Sequence, residues 1–385
     1  MVESDVDIRQ IVKVRSATAL VAGFFLMAAS MTVMAKETTI ESKDGPIKVE
    51  VVADGLDRPW GMAFLPDGRL LVTEKPGTLR IVAKDGTVSD PVKGVPEVVA
   101  NGQGGLLDVT LDPKFDSNNL VYLSYSEPGD NGAGTAVARG KLGDGGLEDV
   151  KVIFRMQPKV EGPNHFGSRL VFAPDGKLFV TLGDRFKFDP AQDLKSHLGK
   201  VVRINSDGSV PDDNPFVGKE DALPEIWSYG HRNVQGGAIH PESGKLWTIE
   251  FGPKGGDELN VPEPGKNYGW PVVSWGNHYD GKDIADPPTH PEFTDAVQHW
   301  TPVISPSGMT FYTGDAFPNW KNDLLVAGLS AQGIVRLTLE GDKVSSENRI
   351  EMGARIRDVA QGPDGSIYAI TDESDGQLLR LTPKK

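Results

Sequence analysis

Gly61-Met62-Ala63-Phe64-Leu65-Pro66-Asp67-Gly68-Arg69-Leu70-Leu71-Val72 is an apolar run, a Pro-Asp-Gly turn and a second apolar run. Proline presets φ in a turn and glycine supplies the left-handed position, so the phrase predicts two antiparallel strands joined tightly. It recurs along the chain. Leu107-Asp108-Val109-Thr110-Leu111-Asp112-Pro113 leads to Val121-Tyr122-Leu123, and residues 170–180 repeat it around Pro174-Asp175-Gly176. Gly237-Ala238-Ile239-His240-Pro241 leads to Leu246-Trp247-Thr248-Ile249, and Met309-Thr310-Phe311-Tyr312 to Leu324-Leu325-Val326-Ala327. Val359 passes through Pro363-Asp364-Gly365 to Ile367-Tyr368-Ala369-Ile370. Six copies spaced by roughly 45 to 70 residues suit propeller blades of about 40 to 50 residues plus loops. Thr78-Leu79-Arg80-Ile81-Val82, Val201-Val202-Arg203-Ile204 and Leu378-Leu379-Arg380-Leu381 follow as third or outer strands. The expected fold is all-β, a six-bladed β-propeller. A pair of β-sandwiches is the competing architecture, but sandwiches do not repeat one phrase so regularly.

Composition agrees and narrows the chemistry. The chain has 385 residues, with 45 glycines and 28 prolines, which favours short strands and tight turns. A formal net charge of −14 argues against a nucleic-acid partner, because phosphate binding needs a basic face. A small anion held by a local arginine cluster stays open. The absence of cysteine excludes thiolate zinc sites, iron–sulfur clusters, thiol nucleophiles and disulfides.

Lys13 and Arg15 precede an apolar run over 17–34, and Val33-Met34-Ala35 offers a small-residue cleavage site. Residues 1–35 are therefore expected to be a signal peptide and 36–385 a single propeller domain, periplasmic or secreted. Thr18, Ser30 and Thr32 interrupt the run, which favours cleavage over an uncleaved anchor. Glu3, Asp5 and Asp7 are unusual ahead of a signal and point to a true start further in. No second segment is apolar enough for a membrane span in the mature protein.

In a propeller the loops at one rim pool residues from every blade. His165 stands just before one strand, and Asp184 ends its hairpin partner. The end of one hairpin strand lies beside the start of the other, so the two residues can meet. A carboxylate beside an imidazole fixes its tautomer, as a general base requires. Gln103 holds the corresponding place before the second blade, Arg232 and Asn233 before the fourth, and Arg355 and Arg357 open the sixth. Ser330 follows a strand of the fifth. Residues two apart on a strand face the same way, so the Arg-Ile-Arg spacing brings two like charges together. Either Asp358 with other local acids or a bound anion must answer them.

Residues 250–260 read as an acidic, glycine-rich, irregular loop. Carbonyl and carboxylate oxygens there suit calcium, or the segment is an ordinary acidic loop. The aromatics of Lys266-Asn267-Tyr268-Gly269-Trp270-Pro271 and Trp275-Gly276-Asn277-His278-Tyr279 suit either a planar ligand or core packing.

Together these segments resemble the pyrroloquinoline quinone (PQQ)-dependent soluble aldose sugar dehydrogenases, a family that includes sorbosone dehydrogenases. The carrying motifs are Gly104-Gly105-Leu106-Leu107, His165 through Asp175-Gly176, Gly183-Asp184, Gly230-His231-Arg232-Asn233, Gly252-Pro253 with Gly256-Asp257-Glu258, Asn267-Tyr268-Gly269-Trp270-Pro271 and Arg355-Ile356-Arg357-Asp358. The resemblance runs from about Gly55 onward and implies a six-bladed propeller with PQQ across one end of the channel. It implies that His165 is the catalytic base, that Asp184 orients it, and that Arg232 with calcium stabilises the developing oxyanion. Gln103, His165, Arg232, Asn233, Tyr279, the Gly328-Leu329-Ser330 turn and Arg355-Ile356-Arg357 fall at PQQ-contacting positions. Gly252 and Pro253 fall where the family binds calcium against PQQ, and Glu258 and Tyr268 match another calcium position.

The implied reaction is hydride transfer from an aldose or hydrated aldehyde to PQQ, giving a lactone or an acid. A separate electron acceptor is implied, because no Cys-x-x-Cys-His haem motif is present. Two departures stand out. The turn at Leu329-Ser330-Ala331-Gln332 has no lysine, and Arg185-Phe186-Lys187-Phe188 replaces a polar substrate loop. The competing functions are a calcium-dependent lactonase-type propeller, which needs several carboxylates around one ion, and a non-catalytic binding propeller.

Overall fold

The computed structural model describes residues 37–384; the expected signal peptide lies outside the described residues. Each apolar phrase forms the first two strands of a sheet. Phe64 pairs with Leu70 in the first, and Leu170 and Phe172 pair with Val180 and Leu178 in the third. The inner strands are Pro59–Phe64, Leu106–Leu111, Leu170–Phe172, Val234–Ile239, Pro306–Phe311 and Ile356–Gln361. Each touches the next and the last touches the first, so the six sheets close into a ring. The fold is the expected six-bladed β-propeller. No helix among the described residues is long and apolar enough to cross a membrane.

Ring closure uses a strand that the repeated phrase does not reveal. Ile47–Leu56 pairs antiparallel with Gly376–Pro383, the third strand of blade six, and Glu37–Ile40 adds outside it. The first and last strands of the described residues therefore share one five-stranded sheet, while blade one keeps only three strands. Shared hydrogen bonds between the ends replace an open sheet edge, which would otherwise attract other strands.

The core lies between blades. Strand Leu70–Glu74 is buried at every position because both its faces are covered by neighbouring sheets. Leu71 and Leu79 of blade one pack with Val109, Leu123 and Ala136 of blade two. Trp247 and Ile249 of blade four pack with Met309, Phe311 and Leu324 of blade five. Each such fully buried aliphatic contributes about 1.5–3 kcal/mol. The rigid stack leaves the loops at one rim free to carry polar chemistry.

Candidate active site

Blade three supplies the central pair. His165 Nδ1 lies 2.6 Å from Asp184 Oδ1, and both side chains are buried. Gly183, which precedes Asp184, lies under the carbonyl of His165, where a Cβ would collide. His165 sits in the left-handed region at φ 54°. Its N–H donates to Gln103 Oε1 at 2.9 Å, and its carbonyl accepts from Arg185 N at 3.2 Å. Asp184 is held from several sides. Its oxygens accept from Trp270 Nε1 at 2.8 Å and from the backbone N–H groups of Phe186 at 2.7 Å and Phe188 at 3.3 Å.

Burial pushes the Asp184 carboxyl up, but His165, the Trp270 donor and the Arg232 charge together hold it below its ordinary value. Burial also pushes His165 down. Asp184 opposes that shift, and the Arg232 and Arg185 charges reinforce it. Burial and the two guanidiniums thus favour the neutral imidazole, with Nδ1 committed to Asp184 and Nε2 taking no hydrogen bond among the described residues.

Blade four brings Arg232 to the same place. Its Nη1 donates to the carbonyls of Phe251 at 3.1 Å and Gly252 at 2.6 Å, and its Nη2 to Tyr279 Oη at 3.1 Å. Its Nε is buried without a partner. Tyr279 is 62% exposed and stacks on Phe186, whose ring meets His165 edge-on at 5.1 Å. Asn233 Oδ1 accepts from Gly167 N at 3.1 Å, and its Nδ2 reaches Gln103 Oε1 at 3.4 Å. Gln103, His165, Asp184, Arg232, Asn233 and Tyr279 thus form one connected group.

The sixth blade answers the question left by its arginine pair. The acid between them is Asp372, 2.8 Å from Arg355 Nη2 and 2.8 Å from Arg357 Nη2. Asp358 instead pairs with Arg169 inside the channel. Arg357 Nη1 reaches Gln235 Oε1 at 2.9 Å and Ser307 Oγ at 3.3 Å. Ile356 stands between these two arginines. It is fully buried in the core of blades five and six, because alternate strand residues point to opposite faces. The Gly328-Leu329-Ser330 turn is placed by backbone bonds to Ile304 and Ser305, and Ser330 Oγ donates to Val303 O at 3.1 Å. Its link to the group runs through the strand that carries Ser307.

The 250–260 segment also departs from the irregular loop expected. Lys254–Gly255 pairs with Gly276–Asn277, and Asp257–Asn260 is the third strand of blade four. Glu258 lies opposite Glu250 in that pairing, and Asn260 Nδ2 bridges both at 3.4 and 3.2 Å. Burial and the Glu250 charge push the Glu258 carboxyl well up. Asn260 Oδ1 is buried without a partner. Glu250, Glu258, Gly252 and Tyr268 line a cavity of ≈ 10 Å³, about enough for one water-sized occupant. Pro253 does not line it. The Tyr268 hydroxyl donates to Val261 O at 2.5 Å and accepts from Glu263 N at 3.1 Å, which leaves its backbone carbonyl for a metal. Paired buried carboxylates with a spare amide oxygen are a donor set for a hard cation. Among the described residues no three His, Asp or Glu side chains converge as a metal site, here or elsewhere.

Sequence reasoning missed Lys75, Trp270, Gln235 and Asp372. Lys75 Nζ reaches Gly102 O at 2.8 Å, beside Gln103, and burial together with the Arg357 charge pushes its pKa down. Arg355 and Arg357 share one carboxylate and Lys75 has no ion pair among the described residues, so this side of the rim carries excess positive charge. A signal existed for Trp270, because it lies in a quoted motif, but its contact with Asp184 spans 86 residues.

The sequence profile of the Glucose / Sorbosone dehydrogenase family matches residues 56–380. The chain belongs to that family. It is 46% identical over 348 residues to aldose sugar dehydrogenase YliI of Escherichia coli K12, covering 88% of this chain and 93% of the relative. The crystal structure of the soluble aldose sugar dehydrogenase from Escherichia coli in the apo-form superposes with a TM-score of 0.84 at 45% identity, covering 88% of this chain and all of that one. The PQQ-bound form of an aldose sugar dehydrogenase from Streptomyces coelicolor superposes with a TM-score of 0.74 at 30% identity, covering 90% and 98%. Glucose / sorbosone dehydrogenase membership and these relatives support a sugar oxidoreductase.

Proposed function

We propose that this chain is an exported PQQ- and calcium-dependent dehydrogenase that converts aldoses to lactones, or hydrated aldehydes to acids. The observation that carries the reading is a buried His165 whose Nδ1 is fixed by Asp184 at 2.6 Å and whose Nε2 takes no hydrogen bond among the described residues. Such an imidazole can take a proton from the hydroxyl on the carbon being oxidised, and Asp184 then stabilises the imidazolium. The Nε of Arg232, without a partner among the described residues, would supply a donor for the negative charge that develops on the group accepting the hydride.

The donor chemistry fits a planar tricarboxylate. Lys75, Arg232, Arg355 and Arg357 provide four cations, and Asp372 neutralises only one. PQQ, when bound, supplies the two-electron oxidant. Lys75 offers the basic contact that the Leu329-Ser330 turn lacks. Glu250, Glu258 and the Tyr268 carbonyl would hold calcium, whose charge offsets the paired carboxylates. A calcium at the Gly252 carbonyl has to share that oxygen with Arg232. Electrons leave to a separate acceptor.

The test is substitution of the base. His165→Ala and His165→Gln are expected to lower aldose oxidation by about 10²–10⁴-fold while leaving PQQ binding near wild type. Steady-state turnover beside a PQQ titration separates the two effects. Near wild-type turnover would remove His165 from the reaction.

A further inference from the structure

Arg185 is among the largest fully buried side chains, with 1% exposure, and it has no acid for a partner among the described residues. Its guanidinium donates to backbone carbonyls only. Nη1 binds Asn164 O, and Nη2 binds Gly162 O at 2.6 Å and Val160 O at 3.4 Å. Nε is buried without a partner, and the planar group lies 3.6 Å over the Phe166 ring. Burial pushes its pKa down to about 10.

A methionine would fill the space over Phe166 without desolvating a charge, so packing alone does not explain an arginine here. The carbonyls it holds belong to the run that enters His165. Its own N–H holds the carbonyl leaving His165. His165 adopts φ 54°, which for a side chain with a Cβ persists only where the surroundings enforce it.

We propose that Arg185 is a positioning residue for His165: it ties down the backbone on both sides of the imidazole and sets an acid-free positive charge beside it. The proposal rests on the reading of His165 as the base. The groups facing the imidazole come from three blades. Asp184 meets Nδ1, the Phe186 ring meets its edge, Gln103 accepts from the His165 backbone N–H, and Arg232 stands across from it. Asp184 favours the charged imidazole, and the two guanidiniums disfavour it. Removal of the Arg185 charge tips the balance toward imidazolium, so the base protonates at higher pH.

Two variants separate the two halves of the role. Arg185→Gln removes the charge and most of the ties. Arg185→Lys keeps the charge with a shorter reach. The His165 pKa is read directly by NMR titration of the imidazole, assigned with His165→Ala, and needs no turnover. In Arg185→Gln it is expected to rise by about half a unit or more, and the acid limb of kcat/KM to move with it. In Arg185→Lys the pKa is expected to stay at the wild-type value while kcat falls about 10-fold, because the base is less well placed.

An unshifted pKa in Arg185→Gln overturns the electrostatic half. Wild-type kcat in Arg185→Lys overturns the positioning half, whether or not Arg185→Gln folds. Failure of the base reading shows separately, as turnover surviving in His165→Ala while the NMR result stands.

Discussion

Asp184 explains why four residues at this rim can act together. One carboxylate meets His165, Trp270, Phe186 and Phe188, so the base and the wall beside it are set by one group. His165 and Asp184 were legible in the sequence because hairpin geometry alone brings strand ends together. Arg355 and Arg357 were legible because strand periodicity pairs them. Asp372, Gln235 and Lys75 were not, because their places depend on contacts between blades far apart in the chain. Ile356 shows the limit of a motif: its neighbours face the rim, and the same alternation buries it. At this scale we expect Arg355→Ala with Arg357→Ala to raise the PQQ concentration for half-reconstitution by at least about 10-fold. Each charge-assisted contact is worth about 1.5–3 kcal/mol. Asp372→Asn in that background should recover part of the loss by removing an unpaired carboxylate. A PQQ titration of the double variant that overlays wild type contradicts the anion clamp.

The third strand of blade four shows what element pairing adds. The segment around Glu258 looks irregular because Gly252, Gly255 and Gly256 interrupt any apolar alternation. Pairing with Leu246–Glu250 converts it into a buried strand and sets Glu258 against Glu250. Two adjacent buried carboxylates cannot both stay ionised unless a cation joins them. We therefore expect chelation to lower the melting temperature by several degrees and calcium to restore it, since a ligand bound only by the native state stabilises it by mass action. The calcium-dependent shift should vanish in Glu258→Gln. A melting curve indifferent to chelator in the wild type contradicts a cation at this place.

Across the whole molecule, the six repeated phrases announced the propeller, but not how the ring is fastened. Ile47–Leu56 closes it from the N-terminal side. A charged cluster on the axis ties the inner strands. Arg169 of blade three reaches Asp108 of blade two at 2.8 Å and Asp358 of blade six at 3.2 Å. The two carboxylates accept in turn from Leu170 N and from Met62 N of blade one. Arg169→Met leaves two buried carboxylates unanswered and is expected to cost about 3–5 kcal/mol by urea unfolding. Burial pushes Asp108 up to about 6, against the Arg169 charge. That value lies above the unfolded one near 3.9, so the stability this group contributes is fully present below about 4 and is lost as pH rises through about 6. Asp108→Asn should flatten that part of the stability profile, and an unchanged slope contradicts the assignment.

The central claim is that this rim binds PQQ and passes it two electrons from a sugar through His165. The most direct measurement is the absorption spectrum of purified protein mixed with PQQ and calcium, recorded before and after adding an aldose. The wild type should bind the quinone and then convert it to the reduced form. His165→Ala should bind it and leave it oxidised. A quinone spectrum unchanged by any aldose or aldehyde in the wild type, or reduced equally fast in His165→Ala, contradicts the account.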